Sequence, residues 1–399
     1  MKKTQKKKRM ADQPFMPVRP ARRQKDRAAV IKVVGVGGGG GNAISRMMEG
    51  DRMRGVEFIA VNTDAQDLNH ALAHQKIYIG RALTHGLGAG MNPEIGKQAA
   101  EENRSEIGEV LEGADIVFIT AGLGGGTGTG AAPVIAEIAK EKGILTIAIV
   151  TKPFTFEGSQ RATIAQEGLA RLKEKVDALV VIPNDRVFAI IDKETPVLRA
   201  FGFIDEVLKN GVKALSELIN VPGIVNVDFA DIAATLRDSG TTLIGIGVAG
   251  GPERGVKAVS AALNSPLLEI AIDGARGVLF SVAGGRDIRM AEIHDIAKAI
   301  SANLDPNARV IFGASYDRTL KDKNIKVTVI ATGFSGVFTQ RLPEPSLFIV
   351  PEAHERPPEA PAGGKQKGGA PKDRTPKAAP EPDSESWEIP AFLRKKKGR

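Results

Sequence analysis

The stretch Ala121-Gly122-Leu123-Gly124-Gly125-Gly126-Thr127-Gly128-Thr129-Gly130 constrains this chain more than any other feature of it. It follows residues 114–120, a short apolar run with β-branched residues that reads as a buried strand. Behind it, residues 131–140 have helical spacing, which places Pro133 in a first turn. The glycines are therefore expected at a strand-to-helix turn. Glycine lets backbone N–H groups approach an anion closely, and a helix N-terminus adds partial positive charge. Thr127 and Thr129 add hydroxyl donors, so Gly125, Gly126, Thr127, Gly128, Thr129 and Gly130 are expected to hold phosphate. No Gly-Lys-Ser/Thr occurs, which excludes a P-loop. A merely flexible glycine turn is the alternative, and the ordered elements on both sides disfavour it.

A second such turn lies upstream. Residues 28–36 read as a first strand that runs into Gly37–Asn42, with a helix from about Ala43. Gly35-x-Gly37-x-x-Gly40 satisfies the dinucleotide fingerprint, and Asp64 follows at a suitable distance. A nicotinamide-dependent oxidoreductase is therefore a rival reading. Such an enzyme does not require the second glycine loop, whereas two strand–glycine–helix turns suit one polyphosphate held from two sides. Residues 56–61 form the next expected strand, ending in Asn62-Thr63-Asp64 at the crevice. Residues 86–93 make another glycine loop before a helix.

Further on, a strand at 145–150 leads to Glu157 and Arg161, four residues apart at a helix start. A plain surface ion pair is one reading of those two. A strand at 178–182 leads to Asn184. A long helix then runs from Ala200 to about Ile219, with Phe201 as a stacking face and Asp205 one turn on. A carboxylate can accept from guanine's ring N–H and its exocyclic amine, a donor pair that adenine lacks. An ordinary amphipathic helix is the alternative.

Val221–Ile232 breaks at Pro-Gly and restarts as a helix that Asn226 or Asp228 can cap. Asp228 and Asp231 share one face at i,i+3, and two like charges suit a water or metal site better than a core. Past Leu243 the pattern changes to strands at 243–248, 278–282, 310–314 and 325–332, with helices at 255–262 and 290–300. This reads as a smaller mixed-sheet domain without a catalytic cluster, His294 being a helix-surface residue.

The net charge of +8 is unevenly spread. Residues 1–27 carry 11 Lys+Arg against 2 Asp+Glu, and residues 336–399 carry 12 against 9. The body between them is therefore net acidic, which makes nucleic acid an unlikely main partner. Residues 1–27 read as a disordered basic arm, and 336–383, within a proline-rich tail, as a disordered linker. Residues 384–399, with Trp387, Ile389, Phe392 and Leu393 in a polar tail, read as a docking peptide. The chain has no cysteine, no apolar run of membrane-span length and no signal-peptide pattern after Met1, so a cytoplasmic protein is expected.

In this setting GGGTGTG resembles the signature of the tubulin superfamily. With the loop Asn226-Val227-Asp228-Phe229-Ala230-Asp231, the chain from about Ile31 to Phe334 is similar to the bacterial cell-division branch of the tubulin/FtsZ GTPase family. The resemblance implies an α/β protein: a Rossmann-like GTP-binding domain (28–205), a central helix (206–219) and a mixed-sheet C-terminal domain with a catalytic loop (220–335), flanked by disordered tails. It assigns Gly38, Gly39, Gly40, Gly41 and Asn42 to the nucleotide phosphates, and Glu157 and Arg161 to the ribose and phosphate region. Asn184 would meet sugar or base, and Phe201 and Asp205 the guanine. Asn226, Asp228 and Asp231 would act on the next subunit's nucleotide. GTP or GDP with Mg²⁺ is the implied ligand set, with no protein-only metal site. The implied partners are further copies, head to tail, and membrane-tethering or regulatory division proteins of the FtsA, ZipA or SepF type at the tail peptide. The implied place is the division site on the inner face of the membrane.

Overall fold

The structure, a computed structural model, describes residues 28–49, 53, 55–192, 194–221, 223–265, 272–302, 304–317, 320 and 323–334. The expected basic arm, linker and docking peptide lie outside these residues.

The first part of the chain alternates strand and helix. In order it runs β1 (Ile31–Val36), α1 (Gly37–Glu49), β2 (Val56–Asn62), α2 (Ala65–His70), β3 (Gln75–Tyr78), α3 (Arg81–Thr84), α4 (Pro93–Glu102), α5 (Arg104–Leu111) and β4 (Ile116–Gly122). Then follow α6 (Thr127–Glu141), β5 (Leu145–Lys152), α7 (Ser159–Lys173), β6 (Ala178–Pro183) and α8 (Val197–Asn220). β1 is buried along its whole length and β4 at all but its last residue. Such unbroken apolar runs suit a parallel sheet covered on both faces. The strands lie in the order β3-β2-β1-β4-β5-β6, all parallel. The strand order, not the strand direction, reverses between β1 and β4, and a ligand crevice opens at the carboxyl ends of the strands flanking such a switch.

Two cores flank this sheet. One gathers Ala131, Ala132, Ile135 and Ala139 of α6 with Ala99 and Ala100 of α4. The other gathers Ala43, Ile44 and Met47 of α1 with Leu208, Val212 and Leu215 of α8. The chain goes on through α9 (Phe229–Leu236), β7 (Gly240–Gly250), α10 (Arg254–Leu263), β8 (Gly277–Gly284), α11 (Met290–Ser301), β9 (Arg309–Tyr316) and β10 (Asn324–Thr332). β7 pairs in parallel with β6 only at Ala178↔Gly240 and Leu179↔Thr241. It then pairs antiparallel with β10, which pairs with β8, and β9 closes the edge of the ten-stranded sheet. The mixed sheet expected for the second half is present, with its own core under α10 and α11. His294 lies exposed on α11, as expected.

Three boundaries differ from the sequence reading. α1 begins at Gly37, not near Ala43, so its first turn is made of glycines. α6 begins at Thr127, which puts Pro133 inside the helix instead of in its first turn. α8 begins at Val197, directly behind an extended Pro196, instead of at Ala200 or 206. Glycine disfavours helix and proline disfavours its interior. Tertiary packing overrides both, because here the glycines are where backbones touch. A Cβ at Gly40 would lie 2.4 Å from the Thr120 carbonyl oxygen, and one at Gly130 would lie 1.9 Å from that of Pro93. Gly130 therefore sets how closely α6 approaches α4. Gly130→Ala gains about 1 kcal/mol of helix propensity but is expected to lose about 3 kcal/mol or more by overpacking. A thermal melt should show a lower midpoint, and an unchanged one would mean that the two helices are not held at this distance.

Candidate functional site

The carboxyl ends of β1 and β4 each turn straight into a helix whose N-terminus faces the crevice. α1 starts with Gly37 at φ +69°, where a Cβ would come within 3.0 Å of the Gly128 amide nitrogen. A Cβ at Gly39 would stand 3.3 Å from the amide of Gly122. The two glycine turns thus lie against each other, and two helix N-termini converge on one place with unpaired N–H groups and positive dipole ends. This is an anion cradle.

A cleft of about 720 Å³ opens over it. Gly38, Gly39, Asn42, Gly125, Gly126, Thr127, Gly128, Glu157, Arg161, Asn184, Phe201 and Asp205 all line it. Residues from five separate stretches of sequence are thereby brought together. The Thr127 hydroxyl is paired with that of Thr63 at 2.6 Å, which fixes its direction. Asn62, Asp64, Asp67 and the loop at Leu87–Gly90 complete the wall. Asp64 caps α2, its Oδ1 accepting from the N–H groups of Gln66 and Asp67.

Four expected phosphate contacts do not line the cleft. Gly40 packs α1 onto β4, and Gly41 faces Ala71 of the α1–α2 contact. Thr129 is turned inward, its hydroxyl accepting from Gly124 N–H at 2.9 Å, where it staples the loop. Gly130 lies against α4. The sequence cannot separate a glycine that bares backbone to a ligand from one that lets two helices touch, because both need the missing side chain.

The far end of the cleft is less polar. Phe201 is 42% exposed and stands edge-on to Phe154, with centroids 5.6 Å apart. Asn184 is 8% exposed, and its Oδ1 has no hydrogen-bond partner among the described residues. Burial pushes the Asp205 carboxyl up to about 6, partly offset by Arg46. Nε of Arg46 lies 3.1 Å from Asp205 Oδ2. Glu157 and Arg161 do pair with each other, Nη1 to Oε2 at 2.6 Å, as a helix-start ion pair, and both face the cleft.

Arg46 is a site residue absent from the sequence reading. With a helix starting near Ala43 it falls in the first turn. With the helix starting at Gly37 it sits four residues beyond Asn42, on the same face. Asp67, Thr151 and Leu198 also line the cleft and had no signal beyond their neighbours.

Asn226, Asp228 and Asp231 are elsewhere. All three are exposed and none lines the cleft. Asp228 occupies the N-cap of α9 but makes no side-chain cap bond. Its carboxylate and that of Asp231 have no ion-pair partner among the described residues. Asn226 Oδ1 accepts from Gly223 N–H at 2.6 Å, and Val225 pairs with Ala314 of β9, so the loop is anchored. Behind it, Lys326 of β10 holds Glu217 of α8 at 3.1 Å and Asp317 at 3.0 Å.

Residues 30–192 match the Tubulin/FtsZ family GTPase domain, and residues 240–335 match the FtsZ family C-terminal domain. The structure of an empty FtsZ dimer from M. jannaschii is similar at 50% sequence identity and a TM-score of 0.72, over 78% of this chain and 89% of that one. The chain belongs to the tubulin/FtsZ family. Members outside FtsZ share the fold alone: CetZ2 of Haloferax volcanii, in a GTPγS-bound protofilament, has 24% identity and a TM-score of 0.65 over 75% of this chain and 92% of that one. CetZ1 from the same organism, a GDP-bound monomer, has 24% identity and a TM-score of 0.66 over 77% and 95%. The resemblance read from the motifs holds at the level of the family. Its bacterial assignment does not follow, since the M. jannaschii relative is archaeal.

Tubulin/FtsZ proteins bind GTP or GDP and hydrolyse GTP. The cleft fits such a ligand, with a cradle of N–H donors at one end and an aromatic face, an orphan amide oxygen and a carboxylate at the other. Among the described residues no group of three or more His, Cys, Asp or Glu could hold a metal ion. A hydrated Mg²⁺ held together with the phosphates would suit such a cleft. Asp64 and Asp67 are the carboxylates on the cleft wall that would face it.

Proposed function

We propose that this protein assembles head to tail through GTP and hydrolyses it where the carboxylate loop of one subunit meets the cleft of the next. One observation carries the reading. Phe201 and Asp205 line the cleft near the start of α8, while Asn226, Asp228 and Asp231 follow its far end. The helix rises 1.5 Å per residue, so Phe201 and Asn220 are about 30 Å apart. A loop at that distance does not serve its own cleft, yet its two carboxylates stand exposed and unpaired among the described residues. A head-to-tail contact is heterologous and builds open filaments.

In such a contact the residues divide the work. The amides of Gly38, Gly39, Gly125 and Gly128, with the Thr127 hydroxyl, take the phosphate charge, while Gly126 N–H donates to the Gly90 carbonyl and holds the loop beside them. Glu157 and Arg161 meet the ribose and phosphate region, Asn184 the sugar or base, and Phe201 and Asp205 the guanine. Mg²⁺ supplies charge neutralisation at the terminal phosphates. Asp231 and Asp228 of the neighbour orient the attacking water and accept its proton, and Asn226 shapes their loop. The M. jannaschii FtsZ relative, a dimer, supports assembly.

The same reading includes a role in the division ring at the inner face of the membrane. There the tail peptide 384–399 would dock on tethering and regulatory division proteins. Among the described residues no helix is long and apolar enough to cross a membrane. Sedimentation of the pure protein tests the core of it. Polymer should pellet with GTP and Mg²⁺ and not with GDP or ATP. GTP binding without pelleting would make it a monomeric switch instead.

A further inference from the structure

The sheet face against the far half of α8 changes character along its length. At one end Leu279, Ile311 and Ile330 pack with Leu215 and Leu218 of α8. Further along the same face of the same strands come Ser281, Ala283, Gly313, Ser315 and Thr328. These short side chains leave a gap beside Ala214 and Glu217 where an apolar seal would otherwise join sheet to helix. Lys326 of β10 spans it. Its register neighbours are Ala283 of β8 and then Ser315 of β9, both small, and its ammonium lies 3.0 Å from Asp317, just past the end of β9. The same ammonium holds Glu217, in the last turn of α8, at 3.1 Å. Burial works against its charge, yet Glu217 and Asp317 hold its pKa above the ordinary lysine value.

The two elements that Lys326 joins are the two anchors of the carboxylate loop. The loop leaves α8 where Val221 N–H donates to the Glu217 carbonyl. It fastens to β9 where the N–H groups of Ile224 and Val225 donate to the Ala314 carbonyl. A Cβ at Gly223 would stand 2.3 Å from that oxygen, so loop and strand meet backbone to backbone. β9 is an edge strand of the sheet, paired with β8 on one side. Its placement against α8 therefore depends on whatever ties the two together beyond the apolar contact. We propose that Lys326 is a positioning residue for hydrolysis, fixing β9 to the end of α8 so that the loop strung between them presents Asp228 and Asp231 in one geometry to the next subunit. The inference rests on the reading that these carboxylates act on the neighbour's nucleotide.

The test uses the full chain with GTP and Mg²⁺. Lys326→Met is expected to bind GTP and to pellet as wild type does, and to hydrolyse it about 10- to 100-fold more slowly, the range for a catalytic group that is intact but displaced. KM should hold while kcat falls, and Lys326→Arg, which keeps a cation within reach of both carboxylates, should recover much of kcat. Mixing experiments then locate the fault. Lys326→Met has a sound cleft, so it should regain hydrolysis with Gly125→Asp, whose cleft is blocked and whose loop is sound. It should gain nothing with Asp231→Ala, which shares its loop-side fault. Should Lys326→Met unfold because two carboxylates are left facing each other, Lys326→Met with Glu217→Gln and Asp317→Asn removes all three charges together and carries the same expectations. Wild-type kcat, no gain with Gly125→Asp, lost co-pelleting, or a triple variant that also unfolds would overturn the role of Lys326. No gain in the mixture of Asp231→Ala with Gly125→Asp would instead remove the shared-site reading on which it rests.

Discussion

Asp231→Ala is expected to bind GTP normally, to pellet with it, and to hydrolyse it about 10²- to 10⁴-fold more slowly, the range for losing a positioned acid–base group. Binding survives because Asp231 is exposed on α9 and lies off the cleft. The fold survives because its side chain makes no hydrogen bond or ion pair among the described residues; the Thr235 hydroxyl bonds to its backbone carbonyl, which alanine retains. The complementary variant spoils the cleft and leaves the loop intact. Gly125→Asp suits that purpose, since a Cβ at Gly125 meets nothing within 4 Å and the added carboxylate stands in the phosphate cradle. Gly128 is a poorer choice, because its Cβ would collide with the Gly122 carbonyl oxygen at 2.6 Å and distort the turn. Each variant alone should be nearly inactive. Mixed equally, random neighbours pair an intact cleft with an intact loop at about one interface in four. Hydrolysis should then return in part, provided that co-pelleting shows both in one polymer. Co-assembly without recovered hydrolysis would place both halves of the site in one chain.

The parallel sheet, both glycine turns and the mixed second sheet were legible because each rests on a local pattern: buried apolar runs, glycine after a strand, alternation in β7. The cleft residues that came through were those at carboxyl ends of strands, such as Asn184, or one helical turn apart, such as Phe201 and Asp205. What stayed hidden was set by contacts between distant segments. Gly40, Gly41, Thr129 and Gly130 look like ligand residues in sequence, yet their neighbours are Thr120, Ala71, Gly124 and Pro93. β3 is only four residues long and half exposed, with too little pattern to announce itself. Arg46 was obscured by a single boundary, since a glycine-rich helix start contradicts propensity and is stabilised only by close packing against β4. The separation between the carboxylate loop and the cleft is likewise a property of how far α8 extends, which the motif NVDFAD does not state.

Guanine nucleotide affinity is expected to fall about tenfold per pH unit once the pH drops below about 6, and Asp205→Ala to abolish both that dependence and the preference for GTP over ATP. The cause is the state of Asp205 in the empty cleft. Burial raises its carboxyl to about 6, while Arg46 pulls the other way. Asn184 borders the same cleft, and Glu206 and Lys209 lie beside Asp205 along α8. Accepting two donors from guanine requires the ionised form, so below that point binding must first expel a proton. Stability of the empty protein has the opposite sign. A carboxyl raised above its unfolded value of about 3.9 adds stability that is fully present below that value and lost as pH rises through about 6. The empty protein should therefore keep more of this contribution at pH 5 than at pH 7, while its grip on guanine weakens. Asp205→Ala removes two hydrogen bonds to a charged acceptor, about 1.5–3 kcal/mol each, so a loss of at least about 100-fold in GTP affinity is expected. ATP, which makes neither bond, should be little affected. Titration of nucleotide binding from pH 5 to 8 for wild type and Asp205→Ala decides the matter. A flat wild-type profile, or a variant that still prefers GTP, would mean that another group reads the base.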